Sequence, residues 1–192
     1  MTPPGKTYCP NILTVSGMGR KVGKTTLACS LIKKLSADSK VIGIKISPHF
    51  HEVDYHSSLT EKPQSFAVYE EDRSDRGKDS SYMLAAGADK VYYVQTRDEY
   101  LEEVWEFLTG LLGKDTPVII ESGRIHDLVQ PGISLLLTLQ DEHGQIPKME
   151  KINSQSDFSE VISEKESFGP IIDRIIYKNG RWIIHENHDY IR

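Results

Sequence analysis

Between a β-rich run, Ile12-Leu13-Thr14-Val15, and a helical period that begins at Lys24 lies Ser16-Gly17-Met18-Gly19-Arg20-Lys21-Val22-Gly23-Lys24-Thr25-Thr26. A strand that passes through a glycine-rich turn directly into a helix is the frame of a phosphate-binding loop. Backbone N–H groups of such a turn, together with the helix N-terminus, can surround a phosphate. Glycine lets the backbone approach the oxygens without a Cβ in the way. In that frame Gly17, Gly19, Arg20, Lys21, Val22, Gly23, Lys24, Thr25 and Thr26 are the expected nucleotide-binding residues. Lys24 would reach the β/γ-phosphates, the Thr25 hydroxyl would ligate Mg²⁺, and Thr26 would reach an inner phosphate. The loop is one residue longer than the common pattern, with five residues between Gly17 and Gly23.

The flanking segments set the fold class. Leu27, Ala28, Leu31, Ile32 and Leu35 fall on one face of a helix from Lys24 to Leu35. Val41 to Ile46 reads as a second, mostly buried strand. Strand, turn, helix, strand is the unit of a parallel sheet, so a three-layer α/β/α domain of the P-loop type with a mostly parallel sheet is expected. Residues 47–78 are polar, lack a clear period and read as a long loop. A short helix is expected over Asp79–Ala86, capped by Asp79 or Ser80 and ended by Gly87. Val91–Val94 reads as a strand, Tyr100–Leu112 as a helix, Pro117–Glu121 as a buried strand, and Ile133–Leu139 as a further apolar run.

After Gln140 the chain turns polar, and Ile171–Ile176, Lys178-Asn179-Gly180 and Trp182–Ile184 then read as a β-hairpin with a type I′ turn. The expected organisation is a nucleotide-binding unit over 1–140, with a polar segment and hairpin over 141–192 as an appendage of the same domain. A length of 192 residues suits one such domain.

The net charge of -5 argues against a non-specific nucleic-acid binder, which needs a basic face. There is no apolar run of membrane-spanning length and no apolar leader at the N-terminus, and only two cysteines, Cys9 and Cys29. A cytoplasmic protein without a membrane partner is expected.

Further candidate residues fall at strand ends and in polar segments. Glu121 ends a buried parallel strand, where an acid faces the ligand crevice and can hold Mg²⁺. Lys45 ends the second strand at the same edge and joins Lys24 as a candidate catalytic residue. Either residue could also be a strand-end charge that meets solvent. His49, His51 and His56 lie close together beside Glu52 and Asp54. Without a cysteine partner or a helical metal-binding frame, this run reads as a loop that contacts an anionic ligand rather than as a zinc site. Gly77-Lys78-Asp79-Ser80 precedes the short helix and could hold a second anion, or simply cap that helix. Lys21, Lys24, Lys45 and Lys78 are expected around one phosphate crevice.

Several of these segments converge on one family. Gly-Lys-Thr-Thr at 23–26, Ile44-Lys45 ahead of the histidine-bearing loop and Asp54, and Gly77-Lys78-Asp79-Ser80 followed by Ala86-Gly87-Ala88 occur in that order. Over roughly residues 10–125 the chain resembles the molybdopterin-guanine dinucleotide biosynthesis protein B (MobB) family. The resemblance implies a Mg²⁺-dependent GTP-binding protein with weak GTPase activity, usually a homodimer. It would assist the molybdopterin guanylyltransferase that joins GMP to molybdopterin. By position, Gly23, Lys24, Thr25 and Thr26 would bind nucleotide and Mg²⁺, and Glu121 would match the acid of the family's Val-Glu-Gly segment. The longer loop is similar instead to that of dethiobiotin synthetase, which implies an ATP-dependent ligase or kinase acting on a small carboxylate or carbamate. No guanine-reading Asn/Thr-Lys-x-Asp motif is present, so ATP stands beside GTP. A non-catalytic nucleotide-binding scaffold whose hairpin engages a partner is the third reading.

Overall fold

In the computed structural model, residues 6–18, 21–55, 58–139, 158–162 and 168–185 are described. β1 (Thr7–Met18) feeds the glycine-rich turn and α1 (Lys24–Leu35) leaves it. β2 (Ile42–Ser47), β3 (Thr60–Lys62), β4 (Phe66–Glu70), α2 (Asp79–Ala85) and β5 (Lys90–Thr96) follow. Then come α3 (Leu101–Thr109), β6 (Val118–Glu121), β7 (Val129–Leu139) and β8 (Phe158–Ile162). α4 (Gly169–Arg174) and a hairpin of β9 (Ile175–Lys178) and β10 (Arg181–Ile184) end the described chain.

Eight strands form one sheet in the order β3-β4-β5-β2-β6-β1-β7-β8. β5, β2, β6, β1, β7 and β8 pair parallel, while β4 pairs antiparallel with both β3 and β5. The architecture is thus α/β, with a mostly parallel mixed sheet and a separate antiparallel hairpin.

Strand alternation divides the interior in two. Leu13 and Val15 of β1, with Ile119 of β6, face a core built with Leu27, Leu31 and Ile32 of α1 and Met83 of α2. Ile12, Val118 and Ile120 face the opposite core, closed by Leu101, Val104, Trp105 and Leu108 of α3. Central parallel strands covered on both faces are mostly apolar, and β6, buried along its whole length, is apolar up to its final residue, Glu121. Each fully buried leucine or isoleucine contributes about 1.5–3 kcal/mol of transfer free energy. The C-terminal elements join the α1-side core through Ile171, Ile175 and Trp182, and the Trp182 indole N–H donates to the Asn11 carbonyl at 2.9 Å.

Several expectations are corrected. The polar stretch over 47–78 contains an antiparallel hairpin, β3 and β4, rather than loop alone. α2 is capped at Lys78, whose N–H donates to Ser81 Oγ at 2.9 Å, and not at Asp79 or Ser80. α3 stops at Thr109, short of Gly113. Residues 171–174, read as the start of the hairpin, belong to helix α4, and the hairpin's first strand starts at Ile175. The turn itself is as expected, with Asn179 at φ 53 and Gly180 at φ 73. β7 starts earlier than the apolar run at 133, and the polar segment supplies β8. Gly19, Arg20 and His56 lie outside the described residues, as does most of 141–167. No helix among the described residues is long and apolar enough to cross a membrane.

Candidate functional site

The site begins where β1 ends. A Cβ on Gly17 would lie 2.6 Å from Val22 Cγ2 and 3.1 Å from both the Leu137 carbonyl oxygen and Lys24 Cγ, so the turn folds back tightly on its own strand. Lys21 at φ 61 and Gly23 at φ 90 turn the chain through the left-handed region into α1. Val22 is buried and anchors the loop in the core, while Lys21 is exposed. Gly23 is the N-cap, and the first turn of α1 carries no acidic side chain to occupy its positive end.

Strand register brings the charged residues to that helix end. Lys45 of β2 pairs with Glu121 of β6, and Glu121 pairs with Val15 of β1, at the C-terminal ends of three neighbouring parallel strands. Paired residues of parallel strands point to the same face, here the face covered by α1. The Thr25 hydroxyl donates to Glu121 Oε2 at 2.9 Å. Lys45 Nζ lies 2.5 Å from Glu121 Oε1 and 2.6 Å from Asp79 Oδ2. The Glu121 side chain is only 3% exposed, so its charge is balanced by direct partners rather than by water.

The two lysines respond differently. Burial opposes the charge on Lys45, but the carboxylates of Glu121 and Asp79 outweigh it and hold its pKa above the ordinary lysine value. Burial lowers the pKa of Lys24, against the pull of Glu121 and with the push of neighbouring Lys45. Lys24 thus holds its proton less firmly than Lys45, and an added anion would strengthen that hold.

Two adjoining cavities open above the strand ends. The first, about 810 Å³, is lined by Lys24, Lys45, His49, His51, Asp79 and Glu121, with Pro48, Phe50, Ser122 and Gly123 at its margin. The second, about 590 Å³, is lined by Lys45, His51, Tyr55, Arg73, Arg76, Lys78, Asp79 and Tyr93, among others. Lys45, Ser47, His51 and Asp79 belong to both linings and form the wall between them. The expected four-lysine cluster is therefore divided: Lys24 and Lys45 face the first cavity, Lys45 and Lys78 the second, and Lys21 lines neither.

A buried polar network holds the second cavity's wall in shape. The Glu71 carboxylate accepts from Arg76 Nε at 2.8 Å, Ser80 Oγ at 2.7 Å and the Tyr55 hydroxyl at 2.8 Å. Arg76 also donates to the Asp54 carbonyl and to Asp72, and its guanidinium lies over the Tyr55 ring, 4.6 Å from the centroid. Tyr55 stacks in turn on Tyr69 at 4.8 Å. Burial leads the causes that raise the Tyr55 pKa, so the phenol remains a hydrogen-bond donor. This network ties the histidine-bearing loop to the Gly77-Lys78-Asp79-Ser80 segment. In that segment Gly77 turns at φ 69, Ser80 is consumed by Glu71, and Asp79 is directed at Lys45.

His49 and His51 stand at the first cavity with ring centroids 6.2 Å apart. Among the described residues no group of three or more His, Cys, Asp or Glu side chains is gathered closely enough to hold a metal. The oxygen donors of Thr25 and Glu121 nevertheless suit Mg²⁺, which takes one or two protein carboxylates and completes its shell with phosphates and water.

Reading the sequence left out Ser47, Tyr55, Glu71, Arg73, Arg76 and Ser122. Ser122 carried a signal, since it directly follows the strand-end acid. Glu71 and the arginines carried none, because the run Glu70-Glu71-Asp72-Arg73-Ser74-Asp75-Arg76 has the composition of a solvated loop. Comparison with protein-family profiles, curated proteins and solved structures yields no significant match.

Proposed function

We propose that this is a P-loop protein of the MobB type, which binds GTP with Mg²⁺, hydrolyses it slowly and assists formation of molybdopterin guanine dinucleotide, working as a homodimer beside a guanylyltransferase. The observation that carries the nucleotide part is the meeting of Thr25, Glu121 and Lys45 at the N-terminus of α1. The order of the quoted family segments in the sequence supports the rest. In this reading backbone N–H groups of the turn and α1 hold the phosphates, and Lys24 bonds the β/γ oxygens. Thr25 and Glu121 hold the Mg²⁺, which when bound offsets the negative charge of the triphosphate. Lys24 neutralises charge that develops on the transferred group, and Lys45, held between Glu121 and Asp79, contacts substrate oxygens from the wall common to both cavities. Catalysis is then positional and electrostatic.

The second cavity favours one further reading, phosphoryl transfer from ATP to a small acceptor, because it opens across Lys45 and Asp79 from the phosphate side. A titration of GTP and of ATP with Mg²⁺ against wild type and Lys24→Ala separates these outcomes. The MobB-type reading expects GTP preference and a large loss of affinity in the variant. Equal nucleotide affinity in both proteins would refute the phosphate loop, and strong ATP preference would favour the transferase. Co-purification with a molybdopterin guanylyltransferase tests the accessory role.

A further inference from the structure

The Lys45 ammonium sits between two carboxylates, 2.5 Å from Glu121 and 2.6 Å from Asp79. Thr25 takes the second oxygen of Glu121. Both oxygens that a divalent cation would use are therefore already engaged by donors of the chain itself. The charges around this point also balance, with Lys24 and Lys45 against Asp79 and Glu121.

We infer that Lys45 is an internal counter-cation that keeps divalent metal out of the site until nucleotide arrives. This rests on the reading that Thr25 and Glu121 hold the metal. A divalent ion arriving alone must displace an ammonium from a carboxylate whose side chain is 3% exposed, and then share the site with two lysines. In that setting like charges repel strongly, since little water screens them. A metal–nucleotide complex brings more negative charge than the ion offsets, so the same two lysines favour it.

Lys45 has a place to go when Glu121 turns to the metal. Asp79 is already its second partner, is 44% exposed, and stands on the wall common to both cavities. Loading the first cavity therefore moves the positive charge of Lys45 toward the second. Lys45 is in this sense a positioning residue that couples the two, and its effect is readable without any turnover.

The test uses the full chain and Mn²⁺ as the probe, with free Mn²⁺ counted by electron paramagnetic resonance. In nucleotide-free protein, wild type and Lys45→Arg should bind Mn²⁺ weakly. Lys45→Met should bind it about tenfold tighter or more, because Glu121 then loses the ammonium paired with its Oε1 and the site carries one positive charge fewer. Saturating nucleotide should narrow the difference. Lys45→Gln, which retains a donor for Glu121 but no charge, serves should the methionine variant fail to fold, and is expected to tighten Mn²⁺ binding likewise. Charge-neutral variants that bind Mn²⁺ no tighter than wild type overturn the inference. Glu121→Gln separates this from a failure of the site itself: if Mn²⁺ binding with nucleotide is unchanged in that variant, the metal assignment falls, and the inference falls with it.

Discussion

Gly17→Ala is a one-carbon test of how the glycine-rich loop is built. The added methyl would stand 2.6 Å from Val22 Cγ2, 3.1 Å from the Leu137 carbonyl oxygen and 3.1 Å from Lys24 Cγ. Carbon atoms in contact prefer about 3.5–4.0 Å, so the shortest of these is too close by about 1 Å. The Leu137 carbonyl belongs to β7, paired with β1, and cannot retreat. Relief must come from Val22 and Lys24, the anchor of the loop and the lysine it presents to the first cavity. Overpacking of this kind costs about 1–3 kcal/mol. In urea unfolding that cost should lower the midpoint with the slope unchanged. If the proposed nucleotide hydrolysis holds, displacing Lys24 by about 1 Å should also lower it on the order of 10²-fold. Val22→Ala removes the clashing methyl, so the double variant should recover part of the loss, with an interaction energy of about 0.5–3 kcal/mol. Gly123→Ala is the control, because a Cβ there meets nothing within 4 Å, and its stability should match wild type within about 0.5 kcal/mol. Gly17→Ala with wild-type stability, or losses strictly additive with Val22→Ala, would refute the steric argument.

Two further outcomes follow from burial. Glu71→Ala should cost about 1–3 kcal/mol in urea unfolding, since it removes the buried acceptor shared by Arg76, Ser80 and Tyr55 while Asp72 still neutralises Arg76; a loss under about 0.5 kcal/mol would show that the network is dispensable. Burial first, then the carboxylates of Glu121 and Asp79, pushes the Cys29 thiol from 9.0 up to about 11. Its alkylation by iodoacetamide at pH 9 should lag well behind a model thiol and rise toward pH 11. Because the folded-state pKa is raised, the stability this thiol contributes is full below pH 9 and is lost as the pH climbs to about 11. Alkylation of the folded protein at the rate of a free thiol would contradict this.

The sequence was most legible where local pattern and global fold agree. α1 runs from Lys24 to Leu35 because its apolar period meets a covering sheet and a glycine N-cap, all visible in one window. The β3–β4 hairpin was hidden because β3 is a polar edge strand, Thr60-Glu61-Lys62, and because the turn's positive φ falls on Gln64 rather than on glycine or asparagine. α4 was read as strand from Ile171-Ile172, although Pro170 sits where a proline opens a helix. At the site, Lys45 and Glu121 could be placed from their strand ends. The Asp79 contact could not, since it depends on the angle at which α2 meets the sheet. Nor could the network of Tyr55, Glu71, Arg76 and Ser80, whose members converge only once β3 and β4 have folded the intervening chain.

The tie between Trp182 and Asn11 sets an order of events during synthesis. β1, which leads into the glycine-rich turn, is made before every element that pairs with it or packs on it. The segment α4–β9–β10, which seals Ile171, Ile175 and Trp182 against the α1 side of that strand, is made more than a hundred and fifty residues later. Its other partners, β6 and β7, also emerge late. β1 is thus made before the strands and the hairpin that enclose it, and until they follow its apolar residues lack their sheet neighbours.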